Sequence, residues 1–562
     1  MLQRSTRSLA LFLLASSPAW AQTETQKLFP TAPEDIDAFG WCVDIVGDIA
    51  AVGAIGEDDA CPSDPLNCNS GVVYAYARQG DTWIESGRLT ASDAFSGDQF
   101  GQDLSIWGNR IVVGAHQKGP GAAYVFVNNG SGWVEEQKLL GSDSLPTYHF
   151  GHAVSIVEES ILIGTMRDAH AGNESGSAFR FEFDGTSWVE TAKLTASNAQ
   201  AFSRYGRAIA STADWAMVGA PFMDQVGANS GAVYTYPRDD NGTPGNRLDD
   251  LWPETQILVG SDTDDGDLFG RSLAIEGNTL VVAAALAEVN GVASGAAYVY
   301  EFQAGSGNWV EVQKIFANDA DLDDQFGMSV EIDGDRMLVG ARGDDQGETN
   351  AGAIYLFERA PGSVGAWVQT AKIVATDPTF DASMGDEMAV SLSGKTAFIG
   401  SRFSATAGDL VGEAYVYDLE ADIGTKYCTV TTNSTGQIST VTANGSLLVA
   451  ANNLTLNAIQ LPPNRFGYFL SSTAQGFFPL AGGSLGNLCL NGSVGRYTSS
   501  IFDTGSAGVA AQVVNPNAIP NASATPSMAM PGESYSFQAW HRDVVGGMPV
   551  SNFTEPVEVT FL

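Results

Sequence analysis

A two-residue signal, Phe-Gly or Tyr-Gly, recurs along most of this chain at nearly constant spacing. It stands at Phe39-Gly40, Phe100-Gly101, Phe150-Gly151, Tyr205-Gly206, Phe269-Gly270 and Phe326-Gly327. A worn seventh copy has Asp386-Glu387 in that place, followed by M-A-V-S-L. A second glycine or its substitute follows 13 residues after the first, at Gly53, Gly114, Gly164, Gly219, Ala283, Gly340 and Gly400. The period is about 58 residues. The copy at Phe326 is the clearest: F-G-M-S-V-E-I, a D-G-D turn, M-L-V-G-A, an acidic loop, G-A-I-Y-L-F-E, then W-V-Q-T-A-K-I ending at Ile373. These are four short apolar or alternating runs bounded by turn residues, and each reads as a strand. One four-stranded sheet cannot bury its own faces, so the copies must pack on one another. A period this long, with four strands in each, specifies an all-β, seven-bladed β-propeller and not a solenoid.

The two ends of the repeat region fit each other. Every copy but the last closes on a W-V-E-x-x-K-L type strand, at Trp83, Trp133, Trp188, Trp252, Trp309 and Trp367. After Tyr417 the chain runs D-L-E-A-D-I-G instead, whereas T-E-T-Q-K-L from Thr23 has the missing pattern. Residues 23–29 are therefore expected to form the outer strand of the last blade, which closes the ring without an orphan edge. Within the first strand, Phe326, Met328, Val330 and Ile332 share one face, and Gly327, Ser329 and Glu331 the other. Antiparallel order puts the loop before each F-G strand and the loop between strands two and three on one face. These loops are long and acidic. The opposite face receives short turns, apart from a long insertion in blade 4, P-R-D-D-N-G-T-P-G-N-R-L-D-D-L.

Outside the repeats, Arg4 and Arg7, an apolar run Leu9–Ala15 and Ala19-Trp20-Ala21 read as a secretory signal over residues 1–21. The propeller then spans 22–422. Residues 423–562, richer in Ser, Thr, Asn and Gly, read as a small β-sandwich-like domain. The implied location is secreted or at the cell surface, with no membrane span. A net charge of −38 repels nucleic acid and anionic lipid and favours cations. Five cysteines in an oxidising compartment are expected to form Cys61–Cys68 and Cys428–Cys489. Cys42, inside a core strand, stays free and buried.

The F-G and Y-G signals, with V-G-A-P at Val218–Pro221 and V-G-A elsewhere, resemble FG-GAP repeats, the blades of the integrin α-subunit propeller and of many bacterial secreted proteins. The resemblance covers roughly residues 23–420 and implies extracellular recognition or adhesion. It does not carry the integrin calcium loops with it. Those lie between strands one and two as D-x-D-x-D-G, and here that connection is only V-G-D, W-G-N, D-G-D or S-G-K. The C-terminal region, with L-P-P-N-R-F-G-Y-F-L, G-N-L-C-L and F-Q-A-W-H-R-D, is similar to a domain recurring at the ends of secreted bacterial proteins.

Calcium has two other candidate loops. One carries Asp262, Asp264, Asp265 and Asp267, the other Asp319, Asp321, Asp323 and Asp324. Alternating carboxylates supply the oxygens this ion needs, though neither loop ends in a bidentate Glu, and a solvated Asp/Gly turn is the competing reading. No other cofactor is expected. Five histidines, His116, His149, His152, His170 and His541, are scattered, and no Glu stands between His149 and His152 as a zinc protease requires. Gly482-Gly483-Ser484-Leu485-Gly486 matches G-x-S-x-G without strand-turn-helix context. Arg342-Gly343-Asp344 spells an adhesion tripeptide, but at the place where other blades put acidic loop residues. A cluster of His, Glu and Arg on the loop face would mark an enzyme, and the sequence order brings none together. The expectation is a monomeric, non-catalytic binding protein for an extracellular protein or glycan. The alternatives are a propeller-scaffolded enzyme acting on polysaccharide and a structural surface protein.

Overall fold

The computed structural model describes residues 23–30, 36–58, 68–243, 245–359, 366–406 and 410–419. Within 425–560 it describes all but 427–432, 436–437, 445–453, 480–483, 485–486, 499, 505–508, 522–525, 531–532 and 546–547. The predicted signal segment 1–21 lies outside these. The described residues form two compact units divided near residue 419, and no α-helix occurs among them.

The first unit is the seven-bladed propeller. Blade 6 is typical, with strands Phe326–Asp333, Arg336–Ala341, Ala353–Arg359 and Trp367–Ile373 paired in that order. Blade 7 has Val390–Ser393, Thr396–Ser401 and Glu413–Asp418, and its fourth strand is Thr23–Leu28 from the start of the chain. That strand pairs antiparallel, Leu28 with Ala414 and Lys27 with Tyr415. A register shift falls between Glu24 and Gln26, where the outer strand of blade 2 shifts between Glu135 and Gln137. The N-terminal strand thus copies even the irregularity of its counterparts.

Seven apolar clusters fill the seven joints, each built from facing sides of adjacent blades. Leu28, Phe398 and Val416 of blade 7 meet Phe39, Tyr74 and Trp83 of blade 1 in the closing joint. At the rim, a glutamine of one outer strand clasps the backbone of the next. Gln26 donates to the Trp83 carbonyl at 2.8 Å and accepts its N–H at 2.7 Å. Gln137 with Trp188, Gln256 with Trp309 and Gln313 with Trp367 repeat the clasp.

Near the axis the joint is bare backbone. The F-G glycines hold positive φ, from +75° at Gly385 to +96° at Gly327, which suits only glycine. The second glycine of the preceding blade lies against that peptide. A Cβ on Gly164 would stand 2.0 Å from the Gly206 carbonyl oxygen, and one on Gly400 would stand 2.0 Å from that of Gly40. Blade 5 carries Ala283 here, and the constraint passes to Gly327, whose Cβ would lie 2.9 Å from that of Ala283.

Blade 7 corrects one expectation. Its F-G position is Met384-Gly385 and not Asp386-Glu387. Gly352 bridges Met384 as Gly121 bridges Phe150, and the Gly385 carbonyl packs on Gly340. Two extra residues, Asp386 and Glu387, enter between this glycine and the ladder, which begins at Val390. The constant 13-residue spacing concealed them.

The second unit is β-rich. A seven-stranded sheet centred on Ser534–Val545 and Phe466–Ser472 faces a three-stranded sheet of Thr440–Asn444, Thr455–Ile459 and Ala510–Val513. Their inner faces share one core containing Val441, Leu456, Phe469, Phe537 and Val557, as a sandwich requires. Cys68 and Cys489 are disulfide-bonded. Their expected partners Cys61 and Cys428 lie outside the described residues. Cys42 is a free, buried thiol that donates to the Gly101 carbonyl at 3.1 Å.

A Gly164→Ala substitution should cost about 3 kcal/mol, because its methyl meets backbone that cannot swing aside. Gly305→Ala, where nothing lies within 4 Å, should fall within about 0.5 kcal/mol of the parent. Urea unfolding of the two variants checks this. Equal midpoints would contradict the close joint.

Candidate functional site

The acidic loops are pinned to the blades they enter. Asp93, in the loop entering blade 2, accepts from Tyr124 at 2.6 Å and from Lys138 at 2.7 Å, both in that blade. Asp262 takes the same place with Tyr298 and Lys314, each at 2.8 Å. Asp319 takes it with Tyr355 at 3.0 Å and Lys372 at 2.7 Å. Partial burial opposes the charge of Asp262 and Asp319, but Lys314 and Lys372 with their tyrosines outweigh it and hold both below the usual carboxylate range. The last aspartate of each loop caps its turn. Asp267 accepts the Asp264 N–H at 2.9 Å, and Asp324 accepts that of Asp321 at 2.7 Å. Burial raises Asp267, and raises Asp324 to about 6.

The other predicted ligands also serve the turns. Asp264 accepts from Asp265 N, Asp265 from Ala228 N and Asp321 from Leu322 N, each at 2.8 Å. Asp323 adopts φ +67° in its turn. Among the described residues no three His, Cys, Asp or Glu side chains gather as a metal site. Asp344 of the R-G-D tripeptide is buried and bound to Tyr355 at 2.8 Å and Lys372 at 2.7 Å, so the tripeptide is not displayed. Of the G-x-S-x-G match only Ser484 is among the described residues.

The centre of the same face is different. There the structure does assemble a His, Glu and Arg cluster, which the sequence order concealed. The residue after each F-G is Trp41, Gln102, His152, Arg207, Arg271 and Met328 in blades 1 to 6, and of these Arg207 and Arg271 line the axial channel. Glu387, from the blade 7 insertion, reaches across the ring to Arg207 at 2.8 Å and Arg271 at 3.0 Å. Its neighbour Asp386 binds Arg402 at 2.5 Å and Arg342 at 3.4 Å. Arg402 also lies 3.9 Å over the Trp41 ring. Burial penalises Glu387, but Arg207 and Arg271 overcome it and hold the carboxylate at about 2.

Beside this bridge sit three imidazoles. His116 packs against His149 at 4.8 Å and His152 at 5.5 Å between ring centres. Arg167 donates to His149 Nε2 at 3.2 Å and Arg207 to His152 Nε2 at 3.3 Å. Burial and the neighbouring cations keep all three neutral, at about 2 for His116, 4 for His149 and 3 for His152.

Below the cluster runs a central channel of about 420 Å³ lined by the first strands of all seven blades. Each first strand is a sheet edge with spare N–H groups, and in blades 1, 2, 3 and 6 side chains of the preceding blade cap some of them. Ser391 caps Ile45 at 3.2 Å, Asp44 caps Ile106 at 2.6 Å, Asp103 caps Val154 at 2.7 Å and Ser272 caps Val330 at 3.2 Å. Asp103 and Glu331 line the channel with protein around them, and this desolvation raises both to about 8. Asp44 is raised for the same reason.

A repeat-family profile matches this architecture. The FG-GAP repeat is found seven times, over residues 22–76, 83–126, 133–181, 188–236, 252–300, 309–357 and 367–417, more than half of the chain. The chain belongs to the FG-GAP repeat family. Each FG-GAP match starts on the outer strand of one blade and ends on the third strand of the next, so seven matches close one ring. No curated protein matches the chain. Among solved structures it is similar to a protein from Lactobacillus plantarum, with 13% identity over 60% of this chain and 84% of that one, at a TM-score of 0.39. It is also similar to Saccharomyces cerevisiae Sqt1, with 9% identity over 70% and 98%, at 0.34. Scores this low carry nothing further about this FG-GAP chain. No helix among its described residues is long and apolar enough to cross a membrane.

The carboxyls set a pH profile. Asp103 and Glu331 keep their protons to about 8 when folded, against ordinary values of 3.8 and 4.5. Between those limits the folded chain binds more protons, so their contribution is full at low pH and is lost as pH rises to 8. Glu387 works oppositely, and its contribution is lost as pH falls from 4.5 toward 2. The three histidines, held below their ordinary 6.5, bind fewer protons when folded, so their contribution is present above 6.5 and is lost as pH falls below it. The carboxyl loss is therefore unopposed above about pH 6.5, where thermal stability should fall toward pH 8, and Asp103→Asn should flatten that fall. Calorimetry at about pH 6.5 and pH 8 tests it, and a melting temperature that rises over this interval would contradict it.

Proposed function

We propose that this FG-GAP protein is an exported, non-catalytic recognition protein that holds a protein or glycan on its long-loop face. One observation carries the reading. The loops entering six of the blades each display a large apolar side chain: Ile36, Phe95, Leu145, Phe202, Leu322 and Phe380, between 55% and 70% exposed. Repeated at one face around a polar centre, they form the kind of surface that a partner covers. The acidic residues beneath shape and stiffen these loops, which lowers the entropic cost of binding.

The His–Glu–Arg cluster favours an enzyme as the second reading. Two features weigh against it. Imidazoles held at about 2 to 4 are poor bases near neutral pH. The rings also hydrogen-bond to Arg167, Arg207 and Gln117, none of them a nucleophile. His170 touches both Ser175 and Asp168 through the same Nδ1, which is not the relay a hydrolase needs.

The test compares two triply or doubly substituted proteins on a panel of glycans and surface extracts. Phe95→Ser, Phe202→Ser and Phe380→Ser together should reduce capture of any bound component by at least about tenfold. Leu248→Ser with Leu251→Ser, exposed in the opposite-face insertion, should leave capture unchanged. Equal losses from both sets would remove the face assignment, and turnover of a captured glycan would establish the enzyme reading.

A further inference from the structure

The proposed docking face has a centre whose chemistry is opposite to that of the whole protein. Six arginines converge there, Arg167, Arg204, Arg207, Arg271, Arg342 and Arg402, against three acids, Glu174, Glu387 and Asp386. The local balance is six minus three, or +3, in a chain of net charge −38. Local cationic charge at the mouth of a low-dielectric channel focuses an attractive field on anions.

The histidines add direction. A guanidinium only donates, so His149 Nε2 and His152 Nε2 accept from Arg167 and Arg207. Each neutral ring then carries its proton on Nδ1. Gln117 Nε2 lies 3.0 Å from His116 Nε2 and sets the same tautomer there. His116, His149 and His152 are 7%, 6% and 3% exposed, and all three Nδ1 atoms are buried without a hydrogen-bond partner. The Nε–H of Arg207 is unpartnered too, while that of Arg167 faces the Glu174 carboxylate at 3.6 Å. Four buried N–H donors, three in the triad and one on Arg207, thus lack an acceptor, and buried donors demand one. A metal ion does not answer that demand, because the Nε2 lone pairs are already taken and the remaining nitrogens carry protons.

We propose that the His116–His149–His152 triad, with Arg167 and Arg207, binds a small oxyanion, a carboxylate or a phosphate, at the centre of the long-loop face. Glu387 shows the preference from within the chain, since its carboxylate occupies the Arg207 and Arg271 side of the same cluster. This inference rests on the docking face proposed above and names the group that the face takes at its centre. An acidic side chain or a uronic acid supplies a carboxylate, and free phosphate supplies the same oxygen acceptors.

The test is isothermal titration of the full chain with sodium phosphate and, separately, with sodium acetate, at fixed ionic strength. One saturable site for at least one anion is expected, and the better anion distinguishes the sources. His149→Phe keeps the ring packing and removes the donor, and it should weaken that binding by about tenfold or more. Arg167→Gln, at a side chain 38% exposed, should do the same and decides the matter if the phenylalanine variant does not fold. Arg247→Gln, on the opposite face, should bind as the parent does. No saturable binding of either anion, or binding unchanged by both site substitutions, would overturn the proposal. Capture on the surface panel with no anion binding would sink this inference alone, and anion binding with no face-dependent capture would sink only the docking reading.

Discussion

The structure depends on the contact between bare peptides near the axis, where the glycine next to last in the second strand, present in every blade but the fifth, lies on the carbonyl of the next blade's F-G glycine. This contact sets the distance and tilt between neighbouring sheets, so the apolar clusters can fill each joint to interior density. It repeats around the ring, and the fold is consistent only if the last joint resembles the others. The joint between blades 7 and 1 does. Gly400 meets Gly40, Trp83 packs edge-on against Phe398 at 4.9 Å, and Gln26 clasps Trp83 as its counterparts clasp theirs.

Closing the ring creates a problem and a resource. Seven inner edges face a narrow channel, and in blades 1, 2, 3 and 6 Ser or Asp side chains from the preceding blade cap their amides, which answers the edge-strand liability there without adding a strand. The same convergence brings Arg207, Arg271 and Glu387 to the channel mouth. The residue after the F-G varies from blade to blade, and Trp41, His152, Arg271 and Met328 all fall in the unpaired stretch of their first strands. Arginine and histidine gather there while the acids stay on the loops as turn caps and lysine clamps. The blade that departs most from the repeat supplies Glu387, the carboxylate that ties blade 7 to blades 4 and 5.

Much of the fold was legible in the sequence because the determinants are local and repeated. Strand order, blade number, the exchanged outer strand at Thr23 and the loop-bearing face all follow from F-G spacing and the W-V-E-x-x-K-L pattern. The site was less legible. Asp262 and Asp319 look like ion ligands when a loop is read alone, and only the Tyr and Lys facing them in the same blade show their use. His116, His152, Arg207 and Glu387 come from four blades and meet through ring closure, which no local spacing reveals. Aligning the repeats on F-G and reading the next column, Trp41, Gln102, His152, Arg207, Arg271 and Met328, would have exposed it. The blade 7 insertion hid Glu387 even from that column.

The most direct test of the closed ring is hydrogen exchange, resolved by peptide, on the outer-strand ladders. If Thr23–Leu28 completes blade 7, peptides covering 23–28 and 413–418 should exchange as slowly as those covering the Phe126–Glu135 and Tyr300–Glu311 pairings of blades 2 and 5. All should then speed up together as denaturant approaches the global transition. Exchange of 23–28 within seconds under native conditions, or release of blade 7 well before the other blades, would contradict the closure on which the central site depends.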